Sequence, residues 1–449
     1  MSRTHPERAT LLQLGRAQLP RSEVRALIRH LLRGCSSCAA TAAAMFPRDV
    51  VPGAARRTRE ADYDAVFARA EKLAMDRQAE VADEHAEARE LLATLAAHPF
   101  ARQRMLVGQS ARFRTWAVCE GLIDAAQEAA FHDAERSVEL AELAVAAAEG
   151  LDATAYGAER AHDLTARAWA ALGTARRVRS HFREAAAAFA RAERLLRLGT
   201  GDPLEKATVL LSKASLMGDQ RRFDEAFRLL DRGAALACRA GDRHLEGKAL
   251  IGKGLFLGHS GDLPGAIDAL RRGLELADPA VEYRLVVAGH HNLIHYLLES
   301  DRVEEAEASF DRARPLYRRF EDQLGRLRVR WLEAKLALAT GRLAEAEAGL
   351  LAVRDEMLAR DLGYDVGLVS LDLIQLHTRQ GRTAEIRRLA EEILPLFEAR
   401  DVHREALVAL SLLQRAAVRE RVTVGLVREV GGLLGRARTH PGPRLRDAG

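Results

Sequence analysis

The chain has 449 residues, 48% hydrophobic, 29% charged and 5% aromatic, which excludes wholesale disorder and is typical of a helical protein rich in Ala, Leu, Arg and Glu. Lys and Arg number 68 against 64 Asp and Glu, so the net charge of +4 is too small to indicate a nucleic-acid-binding protein. No run of about 18 to 20 apolar residues could span a bilayer, and the first residues lack a signal-peptide core. We therefore expect a cytoplasmic protein with no membrane partner.

Residues 1–46 are expected to form a small helical module with candidate metal ligands. Cys35 and Cys38 form a CxxC turn that can supply two thiolates to zinc, His30 precedes them, and His5 is a candidate fourth ligand. The arrangement resembles the zinc-binding anti-sigma factor domain. That resemblance implies one zinc ion bound by His5, His30, Cys35 and Cys38, and a sigma factor or another transcription component as partner.

The spacing of these ligands departs from the anti-sigma family. Four residues separate His30 from Cys35, where the family usually has three. On a straight helix the extra residue turns His30 by about 100° relative to the cysteines. Bound zinc, a helical hairpin with free thiols and a redox-switched thiol pair therefore remain alternatives.

The next segments are expected to join this module to the rest of the chain. Residues 47–59 include Pro47, Pro52 and Gly53 and are predicted to form a linker. Residues 60–109 are predicted to form a charged helical connector, interrupted near His98 because proline disfavours helix in the residue before it.

A sequence pattern recurs from residue 110 to 420. A turn residue is followed by an anchor residue and then usually by Glu-Ala. The anchors are Phe182, Phe223, Leu263, Val303, Leu343 and Thr383, at intervals of 41, 40, 40, 40 and 40 residues. The alanines that follow the first five anchors stand twelve residues after Gly173, Ala214, Gly254, Ile294 and Ala334. Four of these five residues are small, and small residues at such positions let two helices approach closely, so each copy predicts a helical hairpin.

The pattern resembles the tetratricopeptide repeat (TPR). The copy that matches it best has Trp169, Leu172, Gly173, Ala185, Phe189 and Ala192. The repeats are about 40 residues long rather than about 34, which is similar to the helical repeats in the C-terminal parts of large bacterial transcription activators. The resemblance implies an all-α, TPR-like α-solenoid of about six to seven hairpins over residues 110–420. Residues 421–449 are expected to form a last helix and a basic tail.

In TPR proteins the first helix of each repeat lines a groove that binds the ligand. The candidate groove residues here are Arg167, Arg177, Lys248, His291, His295, Arg328, Trp331, Lys335 and Gln375. This set contains bases and no acid, which favours an acidic peptide or a terminal carboxylate as ligand. The alternative is that these are ordinary solvated or packing residues.

No spaced set of nucleophile, acid and base emerges, so we do not expect an enzyme. His291 and His295, spaced i,i+4, are interpreted as groove or packing residues in preference to a metal pair. Cys119 and Cys238 are expected to be small buried residues. The expected function is a regulatory or adaptor scaffold that binds a partner polypeptide. The alternative is a ligand- or peptide-sensing regulator whose N-terminal module responds to redox state or metal.

Overall fold

The computed structural model describes residues 82–319, 323–398, 410, 413–414, 416–418 and 421–437. The chain divides into two compact units, residues 1–84 and 85–449. His5, His30, Cys35 and Cys38 lie outside the described residues, as do the linker 47–59 and the basic tail, so the expectations for them remain predictions. None of the described helices combines the length and the apolar character needed to cross a membrane.

The described part of the second unit is helical, and no strand occurs in it. Residues 82–96 are helical and are followed by α1 (Phe100–Gln109) and a short 3-10 turn (Ala111–Phe113). Seven hairpins follow: α2 (Trp116–Ala129) with α3 (Ala134–Glu149), then, after the single turn α4 (Ala153–Tyr156), α5 (Ala158–Val178) with α6 (Phe182–Leu196), α7 (Pro203–Asp219) with α8 (Phe223–Ala240), α9 (Arg243–Ser260) with α10 (Leu263–Leu276), α11 (Tyr283–Glu299) with α12 (Val303–Tyr317), α13 (Gln323–Ala339) with α14 (Leu343–Ala359), and α15 (Gly363–Gln380) with α16 (Thr383–Glu398). The last described helix is α17 (Val424–Ala437).

The repeat register read from the sequence is confirmed. Each of the six anchor residues is the first residue of a second helix, from Phe182 in α6 to Thr383 in α16. The alanines after the anchors, Ala185, Ala226, Ala266, Ala306 and Ala346, are all fully buried. The predicted all-α solenoid of six to seven hairpins is therefore the observed fold.

The close approach of the two helices in a hairpin depends on the predicted small residues. A methyl group on Gly254 of α9 would lie 2.6 Å from Leu270 Cγ and 3.0 Å from the carbonyl oxygen of Ala266, both in α10. A methyl group on Gly173 of α5 would lie 3.0 Å from the ring of Phe189. Leu270 and Phe189 are fully buried, and burial of such a side chain stabilises the fold by about 1.5–3 kcal/mol.

The turn inside six of the seven hairpins has one repeated geometry. Two residues before each anchor, φ lies between 55° and 96°, in the left-handed region. The residues at this position are Ser180, Arg221, Gly261, Asp301, Gly341 and Gly381. The next backbone N–H then donates to a carbonyl five residues earlier, for example from Asp262 to Leu257 at 2.9 Å. This pairing satisfies carbonyls that the end of the first helix would leave unbonded.

The first helices of successive hairpins pack on one another from α2 to α15, while the second helices approach each other less closely. The first helices therefore line the inner face of the stack. Both ends of the stack are covered by further helix: Leu91 and Leu95 join the core of the first hairpin, and α17 packs on α15 through Val427 and Val430.

The expectation for one cysteine is wrong. Cys119 is buried, as expected, but Cys238 is exposed. The buried stripe of α8 consists of Ala226, Leu230, Gly233 and Ala237. Cys238 follows that stripe by one residue, which turns it by about 100° toward solvent.

Candidate partner-binding groove

Charged side chains from three first helices meet at the amino-terminal end of the inner face. Arg167 of α5 donates to Glu120 of α2 at 2.9 Å and lies 4.0 Å from Glu205 of α7. Asp124, one turn after Glu120 on α2, interacts electrostatically with the same guanidinium, whose charge partly opposes the burial that raises the pKa of this carboxyl group. We call these four residues the Arg167 cluster. Its three acids exceed its one base, so this end of the groove is acidic.

Burial raises the pKa of two acids in the Arg167 cluster. The pKa of Glu205 is raised to about 7, mainly because the carboxylate is desolvated by burial, with further contributions from Asp163, Asp202 and Glu120, and the Arg167 charge only partly opposes the shift. Burial likewise raises the pKa of Asp124. A cationic group placed here would stabilise the ionised form of these carboxyl groups.

Two other predicted groove bases are paired with acids of the following hairpin. Arg177 of α5 donates to Asp219 of α7 at 2.5 Å. Lys248 of α9 donates to Glu282, the residue that precedes α11, at 2.7 Å. These pairs are partly buried and hold adjacent hairpins together, so the two bases contribute little free positive charge to the groove.

A second group of side chains meets farther along the inner face. Lys335 Nζ of α13 lies 3.3 Å from His295 Nδ1 of α11 and 5.8 Å from the ring centroid of Trp331. Trp331 Nε1 donates to Asp372 of α15 at 2.7 Å. We call Lys335, His291, His295, Trp331 and Asp372 the Lys335 cluster. It joins three of the first helices.

The charge state of this cluster follows from its surroundings. The pKa of His295 lies well below its usual value because the ring is desolvated and because Lys335, His291 and His259 add positive charge nearby. Neutral His295 can therefore accept a hydrogen bond from the Lys335 ammonium through Nδ1, which leaves the ring proton on Nε2. Burial raises the pKa of Asp372, while Lys335 and the Trp331 bond act in the opposite direction.

The remaining predicted groove residues lie beside this cluster. Arg328 is exposed on α13, two helical turns before Lys335, and Gln375 is half-buried on α15, three residues after Asp372. Residues three, four or seven apart share a helix face. The structure thus brings His291, His295, Trp331 and Lys335 together, with Arg328 and Gln375 on the same faces. It places Arg167, Arg177 and Lys248 in separate ion pairs.

The acids of the groove were not predicted from the sequence. Glu120, Asp124, Glu205, Asp219, Glu282 and Asp372 all interact with predicted groove residues. The repeat itself holds a signal for some of them: Trp331 and Asp372 are 41 residues apart, Arg177 and Asp219 are 42 apart, and Lys335 and His295 are 40 apart. Partners one repeat apart occupy equivalent positions on neighbouring first helices.

A long-range contact joins the first described hairpin to the fifth. Arg284, at the start of α11, pairs with Glu128, near the end of α2, at 2.8 Å and lies 4.6 Å above the ring centroid of Phe131. The contact joins residues 156 positions apart in the sequence, across the three hairpins that begin with α5, α7 and α9. We call these three residues the Arg284 clasp.

In the part of the chain that the structure describes, no group of three or more His, Cys, Asp and Glu side chains is arranged to hold a metal ion. His291 and His295 instead belong to the Lys335 cluster.

No protein-family model and no curated protein sequence matches this chain. Among solved structures, the chain is similar to a Rap protein, in the crystal structure of that protein complexed with competence and sporulation factor. The similarity has a TM-score of 0.52 and covers 72% of this chain and 87% of the Rap chain at 11% sequence identity. At this identity the likeness bears on the fold alone, and together with the repeated hairpins it shows that this chain is a TPR-like helical-repeat protein.

Proposed function

We propose that the protein is a cytoplasmic regulatory or adaptor protein that binds a partner polypeptide in the groove lined by its first helices, and that this activity is binding rather than catalysis. The observation that carries the proposal is the convergence of charged and aromatic side chains from successive first helices. The Arg167 cluster draws on α2, α5 and α7, and the Lys335 cluster on α11, α13 and α15. An extended ligand could contact both.

The structural neighbour gives independent support. The Rap protein, whose fold resembles this one, is complexed in its crystal structure with competence and sporulation factor. A stack of helical hairpins that contact mainly their neighbours offers a long, continuous surface to a ligand.

The partner is proposed to present acidic groups to the Lys335 cluster. Among the described residues, no carboxylate oxygen lies within 4.0 Å of Lys335 Nζ, in contrast to Lys248 and Arg177. Arg328 adds a second exposed base on the same helix face. A ligand carboxylate beside Lys335 would accept a charge-assisted hydrogen bond from its ammonium, and the positive charge of Arg328 would attract it further.

Crosslinked affinity purification from the source organism tests this proposal. The double variant Lys335→Glu with Arg328→Glu should lose the partner that the wild-type chain captures, while keeping its helicity. A matched control is Arg228→Glu with Arg232→Glu on α8, two exposed bases on a second helix whose reversal changes the net charge equally. Capture by both double variants would place the binding site outside the first-helix groove.

A zinc- or thiol-dependent contact by residues 1–46 is a separate part of the proposal. Its support is the Cys/His spacing alone. The Cys35→Ser/Cys38→Ser variant should lose bound zinc and should no longer recover a sigma factor or polymerase subunit. If this variant and the wild type contain equal zinc and recover the same proteins, the contact does not exist.

A second candidate function is a sensor of a small acidic ligand or signalling peptide, with an N-terminal module that responds to redox state or metal. The Lys335 ammonium, whose hydrogen-bond partner is the neutral ring of His295, favours an acidic ligand in this case too. A true ligand at 100 times its Kd should stabilise the folded protein by about 2.7 kcal/mol and raise the melting temperature. Capture of a stoichiometric protein partner with no shift caused by peptides would exclude the sensor.

A further inference from the structure

The contact between Lys335 and His295 differs from the other cation contacts in the groove. Lys335 Nζ lies 3.3 Å from His295 Nδ1, so an ammonium is paired with a neutral base rather than with a carboxylate. On its other side the same Lys335 lies 5.8 Å from the ring centroid of Trp331. This positive charge is held at the groove surface by two neutral rings, and the nearby acid with which it interacts electrostatically is Asp372.

His295 is surrounded by further groups that titrate or carry charge. Lys335 reaches it from α13, His259 from α9, and His291 from its own helix α11. Glu299, also on α11, lies 3.8 Å from His295 Nε2. The other two helices that pack on α11, α10 and α12, supply none of these groups. Desolvation by burial is the largest cause of the low His295 pKa, and the surrounding cations lower this pKa further.

We propose that Lys335, His291 and His295 form a carboxylate-binding subsite of the groove, and that binding of a carboxylate is accompanied by uptake of one proton from solvent by His295. This inference deepens the proposed function and rests on it. A ligand carboxylate beside Lys335 places a negative charge within reach of the imidazole, and so removes the main electrostatic reason for its neutrality. The ligand carboxylate takes the place of the contact between Lys335 Nζ and His295 Nδ1, so that both nitrogens donate to the carboxylate, and His295 Nε2 faces Glu299.

The sign of the pH dependence follows from this change. The free protein has a His295 pKa well below 6.5, and the bound protein has a higher one. Between these two values the complex holds one more proton than the free protein, so its affinity rises as pH falls, up to about tenfold per pH unit. The ligand carboxylates have pKa values near 4, so their own charge does not change in this range.

The experiment uses tetraglutamate, acetylated at the amino terminus and amidated at the carboxyl terminus, as the probe. Isothermal titration calorimetry with the full-length protein at several pH values from 5.5 to 8, in buffers of low and high ionisation enthalpy, measures both Kd and the number of protons taken up. We expect the Kd of the wild type for tetraglutamate to decrease as the pH decreases, and we expect tetraglutamine not to bind. Lys335→Met should weaken binding at least tenfold.

His295→Gln isolates the proton step. This variant should bind tetraglutamate with a Kd that is nearly constant with pH and with no proton uptake, whereas the control His181→Gln, at an exposed turn residue, should behave as wild type. A wild-type Kd that does not vary with pH would overturn the proton uptake, and wild-type affinity in Lys335→Met would overturn the subsite.

The inference and the proposed function fail in different ways. If tetraglutamate does not bind while the cellular partner is still lost from Lys335→Glu/Arg328→Glu, the carboxylate subsite is wrong and groove binding stands. If Lys335→Glu/Arg328→Glu captures the same partner as the wild type, the groove function itself is wrong. Circular dichroism of each variant confirms that it is folded. As a ligand-independent check, the His295 pKa measured by NMR in the free protein should rise in Lys335→Met.

Discussion

Single residues in the left-handed region end the first helices of six hairpins, and three of these residues are not glycine. They are Ser180, Arg221 and Asp301. An L-residue in this conformation costs about 1–2 kcal/mol, whereas glycine adopts it without a steric penalty but loses more backbone entropy on folding. The turn geometry is the same in all six hairpins, so the surrounding helices impose it on these three residues.

Arg221→Gly is therefore predicted to stabilise the protein. Arg221 is exposed, and its φ is 59°. The steric penalty that is removed exceeds the added entropy cost by about 0.5–1 kcal/mol. Urea denaturation of wild type, Arg221→Gly and the control Arg221→Ala measures the difference, and the alanine variant should show no gain. An unchanged or lower stability of the glycine variant would mean that the left-handed turn is not strained.

Glu205 gives a prediction about pH. Its folded pKa of about 7 lies above its unfolded value of about 4.5, so between these pH values the folded state binds more protons than the unfolded state. This group therefore contributes stability below about pH 4.5 that is lost as pH rises through 7, by at most about 1.4 kcal/mol per unit.

Glu205→Gln should remove this loss. The variant should gain stability relative to wild type as pH rises from 5 to 7, and the difference should stay constant above about pH 8. Urea denaturation at half-unit pH intervals provides the test. The control Glu275→Gln removes a carboxylate outside the Arg167 cluster, on α10, and shows the effect of this substitution elsewhere in the chain. A stability difference for Glu205→Gln that does not vary with pH would mean that the Glu205 carboxylate is ionised normally in the groove.

At the scale of the elements, the contact between the two helices of a hairpin is tight enough to exclude any side chain larger than hydrogen at certain positions. A leucine at Gly254 would meet Leu270 and the backbone of Ala266. Its higher helix propensity contributes only about 0.8 kcal/mol, which is less than the overpacking cost of about 1–3 kcal/mol or more.

Gly254→Leu is therefore predicted to destabilise the protein by about 2 kcal/mol. Its matched control is Gly108→Leu, at an exposed helical glycine with no neighbouring atom within 4 Å of an added methyl group. The control should be neutral or slightly stabilising because leucine favours helix. Thermal unfolding followed by circular dichroism compares the two variants. Equal melting temperatures would show that α9 and α10 do not pack in this register.

The positions of these elements could be predicted from the sequence because a period of 40 residues fixes where each second helix begins. The anchors Phe182 and Leu263 are the first residues of α6 and α10, and the buried alanines follow them. The groove acids could not be predicted in the same way. Whether Asp372 meets Trp331, or Glu205 meets Arg167, depends on the rotation of one first helix against the next. The exposure of Cys238 likewise depends on helix rotation, because this residue lies one position after the buried stripe of α8 and is turned by about 100° from it.

At the scale of the whole second unit, the Arg284 clasp joins the first described hairpin to the fifth. An exposed ion pair contributes about 0.2–1 kcal/mol and a cation–π contact about 0.5–1 kcal/mol, so the clasp has a small effect on stability. Its larger effect is on the distance between α2 and α11, because it links two hairpins that are separated by three others.

Arg284→Glu should therefore separate α2 from α11 without unfolding either helix. Spin labels at His132 and Val281, in a background where Cys35, Cys38 and Cys238 are serine, would report the distance by electron–electron double resonance. We expect a longer and broader distance distribution in Arg284→Glu, and recovery of the wild-type distribution in Arg284→Glu with Glu128→Arg. An identical distribution in all three proteins would show that the clasp does not hold the hairpins together.

The most direct test of groove binding is to locate the partner on the surface of the protein. A photo-crosslinking amino acid placed at Gln375, on the inner face of α15, should form a covalent adduct with the partner in the source organism. The same amino acid at Arg232, on the exposed face of α8, should form none. An adduct at Arg232 with none at Gln375 would contradict the account, because the partner would then bind the second helices rather than the groove lined by the first.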